Sequence, residues 1–317
     1  MSLAFVFPGQ GSQSVGMMSA LAKLSPVIEA TFAQASDVLG YDLWKRCQDG
    51  PVEALNATEC TQPAMLTAGV ATYRLWIERG GARPRLMAGH SLGEWSALVA
   101  AGSLEFTTAV GLVKFRAEAM QAAVPKGQGA MAAILGLEDA DVQAACREAG
   151  HGEVVEAVNF NAPGQVVIAG AASAVARAVE TATAKGARRA MTLAVSVPAH
   201  SSLMAPAAEQ LRLRLNGIPV AAPVEIAVYG VDLKTHAEPS EIRAGLVKQL
   251  HTPVYWSETV RRMIAAGATH IVECGPGKVL TSLNRRIDKN RDLKMLALED
   301  AKSLDDALAL SVKEPPC

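Results

Sequence analysis

The chain is poor in aromatic residues (4% of 317) and in charge (19%), and its charges almost cancel, to a formal net of −1. Near-neutrality removes the electrostatic reason to expect nucleic acid or an anionic membrane as a partner. Five cysteines, at 47, 60, 146, 274 and 317, form no C-x-x-C pair and no metal-ligand spacing. An odd count without a framework argues against a disulfide scaffold and fits a reducing compartment. There is no H-E-x-x-H, no clustered His/Asp/Glu and no G-x-x-x-x-G-K-[ST]. Neither a metal site nor a P-loop is therefore expected. The N-terminal apolar run, Leu3–Phe7, is too short for a signal sequence or a membrane span. These absences together predict a cytoplasmic protein without a metal or redox cofactor.

Half of the residues are hydrophobic, so a large core is available. Leu3–Phe7 reads as a buried strand ended by Pro8. Helical patterns follow at Ala20–Leu39 and Pro63–Arg79, then a strand at Arg85–Gly89 and helices to about Ala123. Short apolar strands alternating with longer helices predict a parallel sheet covered on both faces. The glycine-rich stretch Pro125–Gly129 breaks that rhythm. After it come a strand at Ala130–Leu135, a helix at Asp139–Ala149, strands at Val154–Asn159 and Gln165–Ala169 around a turn, a helix at Ala172–Lys185 and a strand at Arg189–Val197. This β-α-β-β-α-β order is ferredoxin-like. Residues 126–197 are read as a subdomain inserted into a large α/β, hydrolase-like domain formed by 1–125 and 198–317. No element is assigned between Pro198 and Glu225. Beyond it, strands are expected at Glu225–Tyr229, His270–Glu273 and Met295–Leu298. Helices are expected at Glu241–Leu250, Val254–Ala266, Val279–Arg286 and Leu304–Leu310, with a frayed tail at Glu314–Cys317.

Gly89-His-Ser-Leu-Gly93 places Ser91 in a G-x-S-x-G setting between a strand and a helix. Such a turn lifts a serine oxygen out of the sheet and makes it a nucleophile candidate. An acyl-serine needs an oxyanion hole. One donor is the Leu92 amide. The second must come from another loop, and Gly9-Gln10-Gly11 has the backbone freedom to supply it, though a plain tight turn explains that loop as well. The base must be one of six histidines. His90 packs beside the elbow, and His151, His236 and His251 lie in polar stretches where a solvated ring is the usual outcome. His200, in Val197-Pro-Ala-His-Ser-Ser202, and His270, opening a buried strand, are close competitors. Arg116 lies on a largely apolar helix. An arginine there commonly snorkels to the surface. The sharper alternative is a buried guanidinium that clamps a substrate carboxylate.

Taken together and in order, the motifs resemble the malonyl-CoA:acyl carrier protein transacylases. They are Phe5–Gln13, Gly89–Glu94, Arg116, Asn159–Gln165, Pro198–Ser202, Gln249–Pro253 and Gly275–Leu280. The resemblance implies Ser91 as nucleophile, His200 as general base, Gln10 and Leu92 amides as oxyanion hole, and Arg116 as malonyl clamp. It implies that Gln249 orients His200 through its backbone carbonyl. The implied substrates are malonyl-CoA and an acyl carrier protein, with the CoA thioester a substrate rather than a cofactor, in a monomer of fatty-acid synthesis. Two departures stand out: Trp95 where the family usually has tyrosine, and Gly230 where it commonly has asparagine. The rival is an ordinary serine hydrolase using Ser91, Asp232 and His270. A carrier-binding module without chemistry is a third reading. Arg188-Arg189 and Arg285-Arg286 are candidates for a basic rim facing an acidic carrier.

Overall fold

A computed structural model describes residues 2–195 and 197–311. Its strands, in chain order, are β1 (Leu3–Phe7), β2 (Leu86–Gly89), β3 (Gly129–Leu135), β4 (Val155–Ala162), β5 (Gln165–Ala171), β6 (Arg189–Thr192), β7 (Ala227–Tyr229), β8 (His270–Glu273) and β9 (Lys294–Ala297). The chain divides into two compact units. The first comprises residues 1–114, 219–242 and 259–317, and the second residues 115–218 and 243–258. Among the described residues no helix is long and apolar enough to cross a membrane.

The first unit is built on a five-stranded sheet of order β7-β2-β1-β8-β9, with every pairing parallel. Parallel strands need helices on both faces, so their sequences lose polar alternation. β1, Leu-Ala-Phe-Val-Phe, is buried at every position and lies at the centre. Phe5 meets Trp76 edge-on at 5.2 Å and Tyr73 at 5.9 Å, which anchors the helix Thr58–Glu78.

The second unit contains a four-stranded antiparallel sheet of order β4-β5-β3-β6. Helices Asp139–Gly150 and Ala172–Ala184 join its strands in the β-α-β-β-α-β sequence, which with that order is the ferredoxin-like topology. Ile134, Val142, Phe160, Val166 and Val175 lie in its core. The turn between β4 and β5 shrinks to Pro163-Gly164, with Gly164 at φ 66°.

Several expected bounds move. The helix read at Ala20–Leu39 is two, Ser19–Ala22 and Val27–Leu39, because Pro26 supplies no N–H to continue the ladder. The helix read from Pro63 starts at Thr58 and carries Pro63 inside it. β6 stops at Thr192; Ser196 and the tail Glu314–Cys317 lie outside the described residues. Three helices were missed. Leu43–Asp49 is short and capped by the Asp42 side chain, 2.8 Å from the Lys45 amide. Val52–Asn56 is a single turn. Ala205–Leu215 buries Ala207, Ala208, Leu211 and Leu215, a helical spacing masked by Pro206 in its first turn, where proline is tolerated.

Glu273, at the end of β8, is fully buried and accepts hydrogen bonds from the Leu280 and Thr281 amides at 3.0 and 2.7 Å. Burial pushes its carboxyl from 4.5 up to about 7, against the opposing pull of those amides. The native state therefore holds this proton more tightly than the unfolded chain does. Stability contributed by the neutral form is complete below about pH 4.5 and is lost as pH rises through about 7, a change of about 3 kcal/mol. In Glu273→Gln this part of the pH dependence should vanish. Chemical denaturation of both proteins between pH 4.5 and 8 measures the difference; parallel curves would refute it.

Candidate active site

In the first unit, Ser91 lies in the short turn between β2, which ends at Gly89, and the helix Gly93–Ala100. Its φ is 53°, a left-handed conformation that costs a non-glycine residue energy. The Ser91 carbonyl accepts the Glu94 amide at 3.0 Å and the His90 amide donates to Phe7 O at 3.0 Å, so the turn is held from both sides. Gly89 has no room for a side chain: a Cβ there would run into the backbone of Gly93 and Glu94. The loop after β1 lies against this elbow. A Cβ on Gly9 would come within 2.5 Å of His90 O and 3.7 Å of the Leu92 amide nitrogen. Gln10 is the next residue. The loop is fixed by Gly11 N donating to Gln13 Oε1 (2.7 Å) and Gln13 Nε2 donating to Asn56 Oδ1 (2.8 Å). Leu92 itself is buried at the head of the helix.

The same unit disposes of the hydrolase triad. His270 opens β8 and pairs with Leu3, whereas Ser91 lies beyond Gly89, which pairs with Phe7. The length of β1 separates the two ends by about 13 Å at ~3.3 Å per residue. His270 therefore sits at the wrong end of the sheet, with Nδ1 3.0 Å from Thr269 Oγ1. Asp232 is committed to His236, whose Nε2 lies 3.0 Å from its carboxylate, with Glu241 3.2 Å from Nδ1. His236 is thus not the solvated ring expected. The ion pair holds Asp232 below its usual value, against burial.

In the second unit, His200, Gln249 and Arg116 come together. His200 is 2% exposed and lies at φ 67°. Its Nδ1 is 2.8 Å from the Gln249 carbonyl oxygen and its amide donates to Leu250 O at 3.0 Å. A carbonyl only accepts, so Nδ1 carries a proton, and in the neutral imidazole the lone pair is on Nε2. The side chain of the same Gln249 accepts from Arg116 Nη2 at 3.0 Å. Arg116, on the helix Phe106–Ala123, is 1% exposed. The snorkelling expected of it does not occur. The turn carrying His200 is tied further by Ser201 Oγ to Pro198 O (2.7 Å) and by Ser202 to the Glu156 carboxylate. Glu156 was absent from the sequence reading; no motif marks it, and its partner is 46 positions away.

Comparison with known proteins shows the family of the chain. A family model described as an acyl transferase domain matches residues 4–299. The malonyl CoA-acyl carrier protein transacylase of Escherichia coli strain K12 is 53% identical over 307 residues, covering 97% of this chain and 99% of that one. The chain belongs to the malonyl CoA-acyl carrier protein transacylase family. Two solved structures are similar throughout. An acyl carrier protein S-malonyltransferase from Vibrio cholerae superposes with a TM-score of 0.92 at 51% identity, covering 96% of this chain and 99% of the other. A malonyl-transacylase in complex with a type II PKS acyl-carrier protein gives 0.95 at 51% identity, covering 98% and 100%.

The departures from the transacylase pattern have structural settings. Trp95 is fully buried and its Nε1 has no hydrogen-bond partner. At Gly230 a Cβ would stand 3.4 Å from Glu94 Oε1 and 3.5 Å from Asp232 Oδ1, ordinary contact distances. Arg285, read as rim, donates to Met295 O at 3.0 Å within its own unit. Among the described residues no three His, Cys, Asp or Glu side chains are grouped to hold a metal.

The two glycines give a paired test. Gly9→Ala forces backbone against backbone and should destabilise by about 2 kcal/mol or more. Gly230→Ala meets only ordinary contacts and should stay within about 0.5 kcal/mol of the parent. Urea denaturation of both variants decides; equal effects would mean that the Gly9 loop does not press on the elbow.

Proposed function

We propose that the chain moves a malonyl group from malonyl-CoA to the phosphopantetheine thiol of an acyl carrier protein, through a malonyl-serine intermediate, in fatty-acid synthesis. The observation that carries this reading is the buried Arg116 sharing Gln249 with His200. A cation kept from water on the residue that orients a base suits a substrate with one carboxylate beside the reacting carbonyl.

Ser91 Oγ attacks the thioester carbonyl while His200 Nε2 takes its proton. The tetrahedral oxyanion is received by the Gln10 and Leu92 amides. Collapse breaks the C–S bond, and His200 returns the proton to the departing CoA sulfur. The carrier thiol then attacks the ester by the same steps in reverse, and Ser91 recovers its proton. Arg116 grips the malonyl carboxylate throughout with two parallel charge-assisted bonds. The catalytic domain is taken as 1–125 and 198–317, with 126–197 as its insert. The protein works as a cytoplasmic monomer, with the CoA thioester as substrate and no cofactor.

Intact-mass analysis after incubation with malonyl-CoA or acetyl-CoA tests this directly. Ser91→Ala should carry no acyl adduct while remaining folded. His200→Ala should acylate about a hundred-fold or more slowly. Arg116→Ala should lose malonyl transfer by about a hundred-fold more than acetyl transfer, since only malonate makes the charge-assisted bonds. Equal loss of both substrates in a folded Arg116→Ala would make that residue structural and leave malonyl selection to another cation.

A further inference from the structure

The imidazole of His200 is held by two chain segments of the second unit, and both are referenced to the same strand. Gln249 and Leu250 accept from the ring and from the His200 amide. Four residues on, Val254 N donates to Val158 O (2.8 Å) and Phe160 N donates to Val254 O (2.9 Å), so this segment is laced onto β4. Tyr255 stacks on Phe160 with ring centroids 4.9 Å apart. The other segment is the turn Pro198–Ser202. Its internal bonds, Ala199 N to Val197 O at 2.9 Å and Ser201 Oγ to Pro198 O at 2.7 Å, shape it but do not fix its place. That is done from β4 as well. Glu156 Oε2 accepts from Ser202 N at 2.8 Å and Glu156 Oε1 from Ser202 Oγ at 2.9 Å.

We propose that Glu156 is a positioning residue for the base: by gripping Ser202 in two places it holds the left-handed turn that presents His200. The assignment rests on His200 serving as the base. A ring at φ 67° persists only where its surroundings over-determine it. β4, Ser202, His200, Gln249 and Val254 close a circuit of hydrogen bonds, and Glu156 is its side-chain link. An acid suits the place for a second reason. Ser202 begins the short 3-10 helix Ser202–Met204 that runs into Ala205–Leu215, and a carboxylate favours the amide end of a helix. The Glu156 carboxylate makes no part of the chemistry; it sets where Nε2 stands.

The test is single-turnover acylation by malonyl-CoA, followed by intact mass, with thermal unfolding run on each variant. Glu156→Ala should lower the saturated acylation rate about ten- to a hundred-fold, the cost of a slightly misplaced group, with the half-saturating malonyl-CoA concentration unchanged. Glu156→Gln keeps an acceptor for Ser202 N and should recover to within about three-fold of the parent. Glu156→Asp falls one methylene short and should behave as Glu156→Ala. If Glu156→Ala does not fold, the Gln and Asp variants carry the same comparison. Acylation by Glu156→Ala at the parent rate would overturn the proposal. So would a loss expressed wholly in half-saturation, or Gln and Asp variants that differ only as their unfolding temperatures do. His200→Ala is run alongside: if it acylates at the parent rate, the base has been misassigned, an outcome separate from failure of the Glu156 link.

Discussion

The hydrogen-bond cluster of the second unit turns on one neutral residue. Gln249 offers its backbone carbonyl to His200 and its side-chain oxygen to Arg116. Neutrality matters in both directions. A carboxylate in place of the side-chain amide, 3.0 Å from the guanidinium, would make its own strong ion pair. The amide accepts from Arg116 without bringing a charge of its own. The carbonyl fixes the imidazole tautomer as an acid would, but stabilises the imidazolium less. With His200 as the proposed base and a thiol as the leaving group, a milder base is sufficient, because a thiolate departs more readily than an amide nitrogen.

The Ser91 elbow of the first unit depends on close approach rather than on charge. Parallel strands deliver the loops after β1 and β2 to the same end of the sheet, and the glycines at 9 and 93 let those loops touch backbone to backbone. Any side chain at either position would push the two loops apart. The elbow is thus a packing solution.

What could be read from the sequence was what is local. Leu3–Phe7 announces a doubly covered strand by its unbroken apolar run, and the elbow by its flanking glycines. The ferredoxin-like order follows from periodicity within seventy-odd residues (126–197). Burial of Arg116 was not legible, because whether a long cation reaches water depends on what packs beside it. The Asp232–His236 pair was misread for a similar reason: polar neighbours in sequence suggested solvent, and the fold supplied a carboxylate instead. The helix Ala205–Leu215 hid behind the prolines at 198 and 206. The Glu156–Ser202 contact joins residues with no shared motif and so left no trace in the pattern.

Ser91 and His200 share a feature that chemistry alone does not require: each has a left-handed backbone, at φ 53° and 67°. Glycine would be the more comfortable residue at both positions, and asparagine at either would be strained less than most. With Ser91 and His200 as the proposed nucleophile and base, foldability and activity pull in opposite directions at these two points. A search for hardier variants that scores only resistance to heat would drift toward glycine there and return well-folded, inert proteins. The strain is a local debit against the reserve built up by the cores elsewhere in each unit, and it marks where that reserve is spent.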